Sequence, residues 1–412
     1  MRVLVVGGGV IGLCSAYSLR RAGADVVLVE RDRCGEATSQ GNAGWVTPGL
    51  SAPLPGPGVL PRALRWMARP DSPLLIRPRL RRGFLSWCWR FARSCSGSRH
   101  RAGLEATLAL NARTLELYDA MRAEGVEFEM HTDGLVFAAL SERELAHEAA
   151  ELQELRDAGY AGAIETLDGE RLRELEPALS ERVRGGFYAP AERHVRPESL
   201  MRGLAGAVRR AGVEVVEGEG VESLERRNGG WRAHTGERHL SADRVVVCAG
   251  VWSRQLLAGL GVKIPLEAAK GYSVTTEADG VQPQHPLYLL EAKLGCSPFD
   301  GVIRLAGTLE LAGLELSLNR RRLDAITQAA TSYLREWRPA EPQLEWAGLR
   351  PLSPDGLPYI GRVPGAPGAF AATGHGMLGV TLGPATGEAL VPLVLDDAPA
   401  PQLEPFRLDR RR

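Results

Sequence analysis

Residues 2–30 read RVLVVGGGVIGLCSAYSLRRAGADVVLVE, and no other stretch limits the fold as tightly. RVLVV is a short apolar run with β-branched residues, the pattern of a strand buried on both faces. Gly7, Gly9 and Gly12 follow as G-x-G-x-x-G. Leu13, Ala16, Tyr17 and Leu19 then recur at helical spacing up to Gly23, which stands where a C-terminal cap belongs. A second apolar strand over 24–30 ends in Glu30. Strand, glycine turn, helix, strand and acid in this order form a dinucleotide-binding βαβ unit. Gly7 permits the tight turn, Gly9 lets a pyrophosphate approach the backbone, and Gly12 lets helix and strand pack closely. Val10 and Ile11 open the helix, whose free N–H groups and positive dipole end face the phosphates. Glu30, with Arg31 beside it, accepts hydrogen bonds from ribose hydroxyls.

A second glycine turn lies near the other end of the chain, in TGHGMLGVTLGPATGEAL (373–390). GAFAATG (368–374) reads as a strand running into it, and the residues from Val380 onward as a helix leaving it. Gly376, Met377, Leu378, Gly379, Val380 and Thr381 therefore sit at a helix N-terminus, where backbone N–H groups stabilise negative charge. Between the two turns, EATSQGNAGWVTPG (36–49) is a loop of small and amide residues. A nicotinamide domain would continue into another helix here. A loop carrying Ser39, Gln40, Asn42, Ala43 and Gly44 can instead lie along a flavin ring, with a plain surface loop as the alternative. The acidic Glu30 disfavours a 2′-phosphate, and the loop favours FAD over NAD.

Length and composition narrow the rest. A chain of 412 residues accommodates two domains. With 44% hydrophobic residues, 24% charged residues and no net charge, it is neither a disordered chain nor a nucleic-acid binder as a whole. The six cysteines form no C-x-x-C and no zinc spacing, so no metal is expected, and the chain reads as a protein of the reducing cytoplasm. No apolar run reaches the ~18 residues of a membrane span. Residues 61–101 hold eleven Arg, three Trp and a single acid, Asp71. That composition suits peripheral contact with an anionic membrane surface, or arginines that pair with acids elsewhere, such as those of 142–176. Amphipathic helices are expected over 112–125, 141–160 and 321–337, and a frayed tail over 407–412.

Taken together, the N-terminal unit, SQGNAGWVTPG, VVVCAGVWS (245–253), KGYS (270–273) and WAGLRPLSPDGLPYIGRVP through GHGMLGVTLGP (346–384) resemble the D-amino acid oxidase family. That family includes glycine oxidase, sarcosine oxidase and the small subunit of D-amino acid dehydrogenase; the loop and KGYS look most like the dehydrogenase branch. The resemblance implies an α/β architecture. A Rossmann-like FAD-binding domain of the glutathione-reductase kind would come from 1–60, 165–265 and 345–412. A second, α+β substrate domain on an antiparallel sheet would come from 61–164 and 266–344.

The resemblance also assigns residues. Val221, Ala249 and Gly250, with Trp252 nearby, fall where the family touches the adenosine half. Arg350 falls where it binds the substrate carboxylate, against the alternative of a salt bridge to Asp355. Gly348 stands where sarcosine oxidases attach flavin through Cys, which implies non-covalent FAD. Met377 stands where glycine oxidases carry Arg. Lys270 and Tyr272 are candidates near flavin or substrate, or strand residues with solvated tips; His375 reads as structural. The implied reaction is oxidation of the C–N bond of a D-amino acid by hydride transfer to flavin N5, giving an imine that hydrolyses to a 2-oxo acid and ammonia. A quinone or O2 would reoxidise the flavin. D-proline, hydroxyproline, glycine and sarcosine remain alternative substrates, and a non-catalytic flavin-binding subunit or an NAD-dependent dehydrogenase are alternative functions.

Overall fold

The computed structural model describes residues 1–67, 72–236, 238–279 and 281–410. Its organising element is a six-stranded sheet. The apolar run Arg2–Val6 forms the central strand, in parallel register with Asp25–Val29 and Arg244–Val247. Glu214–Val216 extends the sheet beyond Asp25–Val29, and Ala369–Thr373 extends it beyond Arg244–Val247. Tyr359–Arg362 closes that edge antiparallel.

Both faces of this sheet are covered, as a parallel sheet requires. On one face lie the helices Val10–Arg21, Pro197–Arg210 and Gly379–Leu395. The first and last of these helices meet through small residues: a Cβ at Gly387 would lie 2.6 Å from the Cys14 carbonyl oxygen. The other face carries a three-stranded antiparallel sheet, Val221–Arg227, Gly230–Thr235 and His239–Ala242, with the helix Ser253–Gly259.

The second sheet has nine strands and is mainly antiparallel. It begins with Leu344–Leu352, Glu267–Thr276 and Val302–Leu311, continues through Leu294–Phe299, Leu287–Leu289, Leu135–Ala139 and Gly185–Ala189, and ends at Glu165–Asp168; Leu74–Ile76 pairs with Val302–Leu311. This corrects the expected boundary at 165, because Glu165–Asp168 and Gly185–Ala189 belong to the larger sheet. The helix Thr114–Ala123, placed with the substrate domain by the same division, packs Tyr118 and Met121 into the core of the first and last helices. An amphipathic pattern shows that a segment has an apolar face, not which sheet receives it.

The tail departs from expectation as well. Arg410 donates to both carboxylate oxygens of Asp355, at 2.8 and 3.0 Å, and lies over the Tyr359 ring. The chain is therefore held in place to residue 410; residues 411–412 lie outside the described residues. All six cysteines are free. No helix among the described residues is long and apolar enough to cross a membrane.

Candidate active site

A cleft of about 1130 Å³ runs along the carboxyl ends of the parallel strands and reaches the strand Leu344–Leu352 of the larger sheet. Ligands of open α/β sheets bind at that edge. Gly7, Gly9, Val10, Ile11, Glu30 and Arg31 line one end. Gly7 has φ +108°, and a Cβ on it would lie 2.6 Å from the Cys248 carbonyl oxygen. Gly12 is not in the lining; a Cβ there would overlap the Gly7 carbonyl, so its role is the close approach of helix and turn. Gly9 caps the first helix with extended backbone and no side-chain bond, and the Val10 N–H donates to Ser39 Oγ at 3.0 Å. Glu30 ends its strand with its carboxylate accepting from the Gly8 and Asp32 amides at 2.6 and 3.1 Å. Val221, Ala249, Gly250 and Trp252 line the same half, and the Arg31 guanidinium lies 4.6 Å over the Trp252 ring.

The loop after Glu30 divides in two. Ser39 and Asn42 face the cleft. Gln40, Ala43 and Gly44 are outside the lining and attach the loop to its neighbours instead. The carbonyls of Gln40 and Asn42 accept from Arg304, and that of Ala43 accepts from Ser297 Oγ at 2.7 Å. Gly44, at φ +75°, lies against the Val195 backbone. The second glycine turn divides similarly. Gly376, Met377, Gly379 and Val380 line the cleft. Leu378 is the N-cap of the last helix and offers no side-chain cap. Thr381 turns away: its Oγ1 accepts from the Thr47 amide and donates to the Trp45 carbonyl. Uncapped N–H groups at the start of a 17-residue helix favour negative charge at this end of the cleft.

The substrate end follows from strand alternation. On Leu344–Leu352, the side chains of Trp346 and Arg350 share a face with Gly348, and Gly348 lies opposite Gly271 on Glu267–Thr276. A side chain at Gly271 would overlap the Arg350 guanidinium, and one at Gly348 or Gly41 would overlap the Trp346 indole. Three glycines thus make room for one cation and one large ring. Arg350 Nη1 donates to the Thr308 carbonyl at 3.0 Å. Among the described residues no carboxylate pairs with Arg350, and burial depresses its pKa to about 10. Asp355, the competing partner, is engaged by Arg410. A guanidinium set into protein without an acid suits a ligand that brings its own carboxylate.

The same alternation corrects Lys270 and Tyr272. They lie opposite Leu349 and Ala347, on the reverse face from Arg350. Tyr272 OH donates to Glu310 at 2.6 Å, Lys270 Nζ donates to the Ser317 carbonyl at 2.9 Å, and neither lines the cleft. They are strand residues, but their polar ends are buried and bonded within the protein and not solvated as the alternative expected. His375, in contrast, does line the cleft. It is 4% exposed, Nε2 lies 3.1 Å from Thr386 Oγ1, and Nδ1 has no partner among the described residues. Burial lowers its pKa to about 3, so the ring is neutral. Trp346, His375 and Thr38 are site residues that motif reading did not select; the i, i+2, i+4 spacing of Trp346, Gly348 and Arg350 was the available signal for the first.

The chain also brings Glu129, His131 and Asp300 together. Glu129 is already occupied there by the Asp300 amide, His131 and Arg196.

A long cleft with a βαβ glycine turn and terminal acid at one end, and a helix N-terminus at the other, fits FAD. The unpaired Nδ1 of His375 and the uncapped amides of the last helix are polar groups such a cofactor would engage. Fold and site define a flavin-dependent oxidoreductase. The sequence profile described as FAD dependent oxidoreductase (DAO) matches residues 2–393, and the chain belongs to that family. Its fold is that of glycine oxidase from Geobacillus kaustophilus (TM-score 0.79, 23% identity, 100% of this chain and 99% of that chain covered). Glycine oxidase from Bacillus cereus ATCC 14579 is similar (TM-score 0.76, 22% identity, 100% and 99% covered). So is iminodiacetate oxidase from Chelativorans sp. BNC1 (TM-score 0.74, 24% identity, 98% of both chains covered).

Proposed function

We propose that this protein oxidises the C–N bond of a D-amino acid, releasing a 2-oxo acid and ammonia after hydrolysis of the imine. The observation that carries the reading is Arg350, a partly buried guanidinium in the flavin cleft whose protein hydrogen bond goes to a backbone carbonyl and not to an acid. Arg350 would hold the substrate carboxylate bidentately. Trp346, whose indole lies over Gly348, would form the wall beside it. Bound FAD supplies the two-electron acceptor. The start of the last helix would stabilise the negative charge that reduction brings, and neutral His375 would donate or accept a hydrogen bond without adding a charge. Positioning of the substrate α-hydrogen is the main contribution asked of these residues.

The preference for the D series rests on the likeness of the 39–49 loop and KGYS to the dehydrogenase branch, and on Met377 where glycine oxidases carry Arg. Gly348 has no side chain to bond flavin, which supports non-covalent FAD. A quinone or O2 would take the electrons onward. Six free cysteines fit a reducing compartment such as the cytoplasm.

The test is anaerobic bleaching of the flavin absorbance by D- and L-amino acids, D-proline, glycine and sarcosine. Bleaching by D-amino acids supports the reading. Bleaching by D-proline, glycine or sarcosine alone moves the substrate to that group. If none bleaches a flavin that dithionite reduces, the carboxylate reading of Arg350 fails.

A further inference from the structure

Twelve large apolar side chains stand exposed among the described residues, and nine of them lie within 60–89 and 314–318. Leu60, Leu64 and Met67 recur at i, i+4 and i+7 on the helix Val59–Met67, none of whose residues is buried. Their stripe therefore faces solvent. The next helix, Arg82–Ser94, is two-sided. Phe84 and Trp87 face inward, while Leu85 and Trp89 face outward at i, i+4 with 52% and 57% exposure. Leu80 precedes that helix at 95% exposure. Leu314, Leu316 and Leu318 belong to the same surface: Arg77 N–H donates to the Leu311 carbonyl, and Arg79 reaches Gly313, so 77–80 and 312–318 leave one sheet edge side by side.

The charge on this surface is mainly positive, with Glu315 as its exposed acid, although the chain as a whole is neutral. Arg77, Arg79 and Arg101 pair with Glu310, Glu267 and Glu105. Arg65, Arg81, Arg82, Arg90 and Arg93 are exposed and form no ion pair among the described residues. Arg69 and Asp71 lie outside the described residues. The reading in which these arginines serve acids elsewhere in the fold thus accounts for only part of the set.

We propose that residues 59–67, 80–93 and 312–318 form a docking surface for an anionic lipid bilayer. Leucines, a methionine and a tryptophan inserted among free guanidinium groups match the apolar and anionic layers of a lipid surface at once. Arg93, stacked 4.7 Å from the Trp89 ring, places a cation and an interfacial aromatic side by side. An acidic protein partner would use the arginines and leave the leucines in water. A second copy of the chain would cover the leucines, but a twofold contact would set this arginine cluster against itself.

The inward side of Arg82–Ser94 gives the surface its relation to the cleft. Trp87 Nε1 donates to the Leu352 carbonyl at 3.0 Å, on the strand that carries Arg350. Docking would hold the substrate strand about one helix diameter, ~10 Å, above the lipid. The proposal does not depend on which amino acid the cleft takes.

The test is flotation of the FAD-loaded full chain with vesicles of phosphatidylcholine alone, and with about one-third phosphatidylglycerol. Several basic residues near an anionic surface should raise binding at least about tenfold, and salt should reverse part of the gain. The variant Leu64→Glu/Leu85→Glu/Trp89→Glu, all exposed positions, should lose flotation while keeping its flavin and its turnover with a soluble acceptor. Absence of binding to anionic vesicles at low salt overturns the proposal. So does undiminished binding of the variant, and so does a dimer in light scattering that the same variant splits, which would assign the surface to a second copy.

Discussion

Nη1 of Arg350 donates to the carbonyl of Thr308 at 3.0 Å, and Thr308 presents that carbonyl from φ +64°. A β-branched residue resists this conformation. The register of Val302–Leu311 against Glu267–Thr276 shifts at this point, between Lys270 and Tyr272, so Thr308 lies in a bulge that aims one backbone oxygen at one cation. That bond fixes the guanidinium and leaves its remaining donors for a carboxylate. Arg350→Ala should retain FAD and lower kcat/KM for amino acids by roughly 30- to 1000-fold, the loss expected for a desolvated charge pair of about 2–4 kcal/mol. Arg350→Lys should recover part of it, since an ammonium lacks the planar fork. Flavin absorbance and steady-state kinetics on the two variants check both statements.

The Trp346 indole covers Gly348 and Gly41 and closes the cleft beside Arg350. Trp346→Ala should therefore open room for larger side chains. Relative kcat/KM for bulky over small amino acids should rise about tenfold, within the ~1–3 kcal/mol that pocket shape contributes. An unchanged ratio across a substrate series would show that the side chain of the substrate points elsewhere.

Tyr272 and Lys270 meet at Glu310, behind the sheet. Tyr272→Phe should leave kcat and KM close to wild type and lower the stability by about 1–3 kcal/mol, because a buried carboxylate loses a donor. Thermal melts and kinetics on one preparation separate this from a catalytic role, in which turnover would fall and the melt would not move.

Glu192 is 1% exposed, and burial raises its pKa from 4.5 to about 7, against the opposing hydrogen bonds from Tyr160 and the Gly49 amide. Between those pH values the folded chain keeps a proton that the unfolded chain has released. This contribution to stability is complete below pH 4.5 and is lost as pH rises through 7. Glu192→Gln cannot ionise, so its stability relative to wild type should improve by on the order of 3 kcal/mol from pH 4.5 to above 7. Urea unfolding midpoints of both proteins at the two ends of the range measure it.

The legible parts of this site were those whose chemistry is local. Gly7, Gly9, Gly12 and Glu30 lie in one continuous stretch, and each has a reason that needs no distant partner. Arg350 was singled out by the family resemblance, and it does line the cleft. The places of Lys270 and Tyr272 were not legible, because which face a strand residue takes depends on register, and one residue of shift reverses every side chain. Ala43, Gly44 and Thr381 were placed near the cofactor by proximity in sequence, yet their bonds go to Ser297, the Val195 backbone and the 45–47 segment. The strands at 165–168 and 185–189 joined the other sheet for the same reason: pairing between distant segments leaves no mark on either one. Arg410 looked like a loose end, and its partner Asp355 lies 55 residues earlier.

The contact between the first and last helices also has a temporal meaning. Val10–Arg21 leaves the ribosome early, but its neighbour Gly379–Leu395 and the strand Ala369–Thr373 are among the last parts made. At about 5–20 residues per second, roughly twenty to seventy seconds separate them. Through that interval the nascent glycine turn has no completed sheet edge and its helix has an apolar side without a partner. Cofactor capture is thus a late event in the life of each molecule, and a chain that stops short of residue 395 carries the nucleotide motif without the fold that uses it.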